Sequence, residues 1–237
     1  MHPRPGLDYG QFDALTFDCY GTLIDWETGL TEAFRPILRG HSIDADTDHV
    51  LVRYAHHEAV AEAGPYRSYR EVLAAGLRGV AGELAFEPTD AEAATFSRSV
   101  ADWPAFADSA AALTRLQTRY RLGVLTNCDD DLFAASSERL GVDFDWVVTA
   151  EQVGSYKPDE RNFQVMFDRL GLPRERILHV AQSLFHDHAP AQRLGLRSVW
   201  IDRRHDRPGA GATPESSATP DAAFPDMASF AAAAVPR

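Results

Sequence analysis

Five short apolar runs, set apart by stretches of helical spacing, constrain this chain more than any other feature. They lie at residues 14–18 (ALTFD), 120–127 (YRLGVLTN), 144–150 (FDWVVTA), 176–181 (RILHVA) and 196–201 (LRSVWI). Helix-patterned segments follow the same rhythm at 108–119, 130–141, 160–171 and 187–195, several closing on glycine as helix C-termini do. Strands alternating with helices predict an α/β fold: a Rossmann-like parallel sheet core flanked by helices. In such sheets ligands bind outside the carboxyl ends of the strands.

Between about 26 and 105 the alternation stops and four helical patterns follow one another: ETGLTEAFRPILRG, DADTDHVLVRYAHHEAVAEAG, SYREVLAAGLRGVAGEL and DAEAATFSRSVADW. An all-helical insertion directly after the first strand predicts a cap domain above the sheet. The expected division is a core of residues 1–25 and 106–237 and a helical cap domain of 26–105. From Arg207 the chain is rich in Pro, Gly, Ala and Ser and reads as a loop. A short helix is expected near Met227–Ala234.

The net charge of −12 over 237 residues argues against nucleic acid or an anionic membrane as partner, since both favour a basic face. An anionic small-molecule substrate then has to be drawn in by local positive charge. Cys19 and Cys128 stand far apart without metal-ligand spacing, so neither a disulfide nor a zinc framework is expected. The opening MHPRPGLDYG has no apolar signal region and no run reaches membrane-spanning length; the chain reads as soluble and cytoplasmic.

Polar residues gather at the predicted strand ends: Asp18 after the first run, Thr126-Asn127 in the second, Lys157 beyond the third, Asp187 beyond the fourth. Taken singly, each is a common helix cap, turn former or solvated loop charge. Together they converge on one edge of one sheet, which is where a site belongs in this fold.

FDCYGTL, VLTNCD, SYKPD and HVAQSLFHD, in this order and spacing, resemble the four motifs of the haloacid dehalogenase superfamily. The resemblance covers nearly the whole chain and includes the cap. It implies that Asp18 is a nucleophile forming an ester with substrate. Superfamily phosphatases carry D-x-D, where the second acid protonates a leaving alcohol; Tyr20 occupies that place, and a phenol is a poor acid for the task. Their G-D-x-x-x-x-D supplies magnesium ligands, and here Gln182 replaces the first acid with a weaker amide donor. D-x-Y-G-T-L is the form of the L-2-haloacid dehalogenase branch, whose halide leaves without a proton and whose reaction uses no metal.

That branch implies a set of roles. Asp18 attacks, Asp187 is the general base for the water that opens the ester, and Lys157 holds Asp18 ionised. Thr22, Thr126 and backbone amides bind the substrate carboxylate, with Tyr20 beside them. Arg53, in LVRYAHHE of the cap, matches the halide-binding arginine and has Asn127 beside it. No cofactor is implied, and a homodimer through the cap helices is implied by the resemblance alone. The chain also departs from the branch. Its second motif is Thr126-Asn127-Cys128, Leu184 stands where a water-orienting side chain is usual, and Phe163 replaces a tyrosine. Gln182, Ser183 or His186 are the candidates to take over the water. Two alternatives remain: a magnesium-dependent phosphatase or phosphonate hydrolase, and a binding protein on a decayed enzyme scaffold. His56-His57-Glu58 read as a solvated helix face. Trp26, Trp103 and Phe185 read as packing, and Asp129-Asp130-Asp131 as helix-opening acids.

Overall fold

The computed structural model describes residues 7–206 and 216–236. Six parallel strands form one sheet in the order β3-β2-β1-β4-β5-β6: β1 (Ala14–Phe17), β2 (Arg121–Thr126), β3 (Trp146–Thr149), β4 (Ile177–Ala181), β5 (Arg197–Ile201) and β6 (Ala222–Phe224). The chain builds outward from β1 on one side, then returns to β1's other edge with β4. That reversal makes the carboxyl end of β1 the topological switch point. Phe17 sits level with Val124 on one neighbour and Val180 on the other, so Asp18 leaves the sheet between the ends of β2 and β4.

Four helices follow β1 before the chain returns to the core: α1 (Trp26–Gly40), α2 (Thr47–Glu62), α3 (Tyr69–Glu83) and α4 (Asp90–Arg98). They form the all-helical cap. Ser68 with Glu71 and Thr89 with Glu92 make reciprocal capping boxes that start α3 and α4. A short neck joins cap to core, where Ile24 bridges Ala105 and Asp25 N–H donates to Pro104 O at 2.8 Å.

The core helices are α5 (Ser109–Leu116), α6 (Asp130–Leu140), α7 (Ala150–Val153), α8 (Glu160–Leu170), α9 (Ala189–Leu194) and α10 (Met227–Ala234). One apolar cluster runs from the sheet through Phe17 and Leu23 into the cap at Leu30, Tyr54 and Trp103. A second covers the opposite face with Phe163, Met166, Ile177 and Ala191. The tail differs in part from a loop: residues 222–224 add the edge strand β6 beside β5, while 207–215 lie outside the described residues.

The cap is also tied to the site at its base. Tyr20 meets the Trp103 ring edge-on at 5.5 Å between centroids. Trp103 lies flat against Gly29 of α1, where an added Cβ would come within 2.2 Å of its Cγ. Gly29→Ala should therefore lower stability by about 1–3 kcal/mol through overpacking, despite the helix-forming gain of alanine. Urea unfolding checks this, and an unchanged midpoint would show that Trp103 yields freely.

Candidate active site

The stretch after β1 folds back tightly. The N–H groups of Thr22, Leu23 and Ile24 all point to Cys19 O, at 3.2, 2.7 and 3.0 Å. Gly21 makes this return possible with φ +93°, and a Cβ there would press on Gln182 and Trp26. The turn brings the Thr22 hydroxyl to Asp18 Oδ2 at 2.6 Å, while Lys157 Nζ donates to Oδ1 at 2.8 Å. Both carboxylate oxygens thus accept a hydrogen bond, the arrangement that suits an ionised group.

Lys157 is almost wholly buried, and its three N–H bonds are all used. They go to Asp18, to Asp187 Oδ1 at 2.7 Å and to Leu125 O at 2.9 Å. Burial alone would lower the lysine's pKa, but the two carboxylates outweigh it and the ammonium titrates above its ordinary value. Asn127 holds the lysine's backbone at both ends, accepting from Lys157 N at 2.7 Å and donating to Lys157 O at 3.1 Å.

Asp187 belongs to a wide π-type turn, Leu184–His188, that follows β4. Burial works to raise its pKa, yet Lys157 and a hydrogen bond from His179 carry it below the ordinary value. Asp18 goes the other way: burial raises it, the charge of Asp187 adds to the rise, and Lys157 and Thr22 only partly offset them. Asp187 is the more acidic of the pair. Its Oδ2 is buried and has no hydrogen-bond partner.

Two supports were not singled out by motif. His179 lies inside β4, wholly buried, with Nε2 at 2.9 Å from Asp187 Oδ1 and Nδ1 at 2.9 Å from the Thr16 hydroxyl. Because a carboxylate only accepts, Nε2 carries the proton and Nδ1 accepts from Thr16. Phe163 packs edge-on against this ring, 5.5 Å between centroids. The signal was a polar residue within an apolar strand, level with Thr16 on β1.

A cavity of about 60 Å³ opens beside Asp18, lined from the core by Asn127, Lys157, Gln182, Ser183, His186 and Asp187. The Tyr20 ring faces it, but the hydroxyl is engaged elsewhere, 3.0 Å from Ser136 Oγ and accepting from the Cys128 thiol at 3.3 Å. Burial pushes this phenol well above its ordinary pKa, so Tyr20 is a wall and not an acid. Ser183 accepts from His186 N at 2.9 Å and stays within 3.1 Å of His186 Nδ1; burial pulls that imidazole down to about 4, leaving it neutral. Among the described residues no group of three or more His, Cys, Asp or Glu side chains is arranged to hold a metal ion.

Three expected substrate contacts fall elsewhere. Arg53 is partly exposed on the outer side of α2, paired with Glu83, and does not line the cavity. Thr22 is spent on the nucleophile and on Gln182 N, 2.8 Å away, and is fully buried behind Asp18. Thr126 is buried too, its hydroxyl without a partner and outside the cavity wall. The cap instead contributes Glu58, Glu62, Tyr69 and Trp26 to that wall. Glu58, read from sequence as part of a solvated face, accepts from the Tyr54 and Tyr69 hydroxyls, each at 3.0 Å. Asp129 caps a different helix from the one it precedes, accepting from Tyr69 N and Arg70 N of α3 at 2.7 and 3.1 Å.

A capped α/β sheet with a lysine locked between two strand-end carboxylates is the framework of a hydrolytic enzyme family. A family model, haloacid dehalogenase-like hydrolase, matches residues 12–194, and the chain belongs to that family. It is 27% identical over 195 residues to an (S)-2-haloacid dehalogenase of Pseudomonas fluorescens, covering 80% of this chain and 84% of that one. A phosphoserine phosphatase of Thermus thermophilus is 32% identical over 177 residues, covering 72% and 66%. Among solved structures, L-2-haloacid dehalogenase from Xanthobacter autotrophicus superposes with a TM-score of 0.80 at 20% identity, over 93% of this chain and 97% of that one.

Burial raises the Glu58 carboxyl from 4.5 to about 7. A group whose pKa rises on folding contributes stability that is complete below the unfolded value and lost as pH climbs through the folded one. Between roughly pH 5 and 8 Glu58 should therefore withdraw its contribution, so the stability of the wild type relative to Glu58→Gln should fall across that range in urea titrations. Parallel pH profiles for the two proteins would contradict this.

Proposed function

We propose that this chain is a hydrolytic dehalogenase acting on short 2-haloalkanoic acids through an ester on Asp18, without a metal. The observation that carries the reading is the Asp18–Lys157–Asp187 centre with a tyrosine two residues after the nucleophile in place of a second acid. Tyr20 turns its hydroxyl away to Ser136, and position 182 offers an amide in place of a metal-binding acid. A leaving group that departs as a stable anion suits such a site; an alkoxide does not. The dehalogenase relative supports the same class of bond.

In the first half-reaction an Asp18 carboxylate oxygen forms a bond to the carbon bearing halogen as the carbon–halogen bond breaks, its electron pair leaving with the halide. In the second, water loses a proton to Asp187 and attacks the ester carbonyl of Asp18. The carbon–oxygen bond at that carbonyl breaks, the proton held by Asp187 passes to the departing oxygen, and a 2-hydroxy acid and the Asp18 carboxylate are freed as the water's second proton goes to solvent. Asp187 Oδ2, the one oxygen of the pair without a partner, is the acceptor for the water's proton. Ser183 and the neutral His186 replace the usual water-orienting side chains, since Leu184 has nothing to offer. Lys157 keeps the centre neutral enough for two carboxylates to share it. Gln182 and Ser183 supply neutral donors to the substrate carboxylate.

With 2-chloropropionate and EDTA present, chloride release should persist in the wild type and fall at least 10³-fold in Asp18→Asn. Asp187→Asn should release one chloride per enzyme and retain the substrate mass on the intact protein. Phosphate-ester hydrolysis abolished by EDTA, with no chloride released, would overturn the reading in favour of a metal-dependent phosphatase.

A further inference from the structure

Where an arginine was expected to face the substrate, helix α2 offers two carboxylates. Glu58 and Glu62 stand one turn apart and both line the cavity beside Asp18. Their partners are neutral. Glu58 is held by two tyrosine hydroxyls, and Glu62 by the Asn127 amide, with the uncharged His186 ring 3.9 Å away. Among the described residues neither has a Lys or Arg at ion-pairing distance. The cavity thus gathers four acidic side chains, Asp18, Asp187, Glu58 and Glu62, around one cation. That cation, Lys157, has no N–H left to give.

Such an imbalance in a buried space is costly unless protons or a cation relieve it. Burial raises Glu62 well above the ordinary carboxyl value and the neighbouring Glu58 adds to the rise, with the charge of Lys157 and the Asn127 amide only partly offsetting them. The wall also carries aromatic rings: Tyr20 and Tyr69 stack at 6.4 Å and 24°, and Trp26 lines the same cavity. Carboxylates set among aromatic faces are the surroundings that receive an organic ammonium, which gains both ion pairing and cation–π attraction. Asp187 lines the same cavity, and its buried Oδ2 has no hydrogen-bond partner. A cleft of about 470 Å³ shares Glu62, Lys157 and His186 with the cavity.

We propose that Glu58 and Glu62 form an ammonium subsite, so that the substrates of this enzyme are amino-substituted 2-haloalkanoic acids. This rests on the dehalogenase reading above. The carbon bearing halogen lies at Asp18, and the substrate's ammonium group lies toward α2, between the two glutamates and the rings of Tyr69 and Trp26. A simple haloacid leaves the glutamates without a counter-charge, which is the basis for selection.

The test compares 3-amino-2-chloropropionate with 2-chlorobutyrate, which differ by an ammonium in place of a methyl group. Wild-type kcat/KM for chloride release should favour the amino acid by about tenfold or more, and Glu58→Gln and Glu62→Gln should each erase that preference, mainly through KM. Both variants are near-isosteric, and thermal melting verifies that they fold. Equal kcat/KM on the two acids, or a preference that survives both substitutions, overturns the subsite while leaving the dehalogenase reading intact. If neither acid yields chloride, that reading fails, and calorimetry with n-propylammonium decides the subsite alone. Saturable binding that Glu62→Gln weakens about tenfold supports it, and no binding overturns it.

Discussion

The ammonium of Lys157, buried between Asp18 and Asp187, is the interaction on which the rest of the structure depends. Two carboxylates this close, out of water, cannot both remain charged without it. Removing the lysine from such a centre strands charges that cost several kcal/mol, which is why every N–H is satisfied and both ends of its backbone are pinned by Asn127. The three groups come from separate places in the chain: Asp18 from the end of β1, Lys157 from the loop before α8 and Asp187 from the turn after β4. Only a parallel sheet that reverses direction at β1 delivers all three to one point.

The asymmetry of the pair follows from what surrounds each acid. Asp187 has His179 behind it, itself fixed by Thr16, and stays the more acidic group. Asp18 has Thr22 on its second oxygen and carries the burden of its neighbour's charge. Polar support therefore extends a full layer back into the sheet, through two residues that face each other on adjacent strands.

Much of this was legible in the sequence because the strands are short apolar runs bounded by turn residues. Their ends carry the reactive groups in a fixed order. The five runs became β1 to β5 within a residue or two, and the insertion became four helices. Strand β6 was hidden by its loop-like composition and its length of three residues. The cap was legible as helices but not in its rotation. At 3.6 residues per turn, positions 58 and 62 lie roughly 140° and 180° around α2 from Arg53, so the helix cannot turn all three to one cavity. The signal was present, since Val50, Tyr54, Glu58 and Ala61 follow one buried stripe and the acid within it had to face something enclosed. Arg53, matched by resemblance, lies on the face of α2 away from the cavity. Thr22 turns its hydroxyl to the nucleophile and Thr126 lies outside the cavity wall, orientations that sequence spacing does not distinguish from facing a ligand.

The chemistry assigned to the Asp18–Lys157–Asp187 centre is tested most directly by oxygen labelling in a single turnover. Enzyme in excess is mixed with 2-chloropropionate in H₂¹⁸O, and both the product and the peptide containing Asp18 are weighed by mass spectrometry. An ester on Asp18 opened at its carbonyl predicts an unlabelled hydroxyl on the product and one ¹⁸O in the aspartate. An ¹⁸O-labelled product with unlabelled Asp18 would mean that water attacks the substrate directly, and would contradict the role given to the nucleophile.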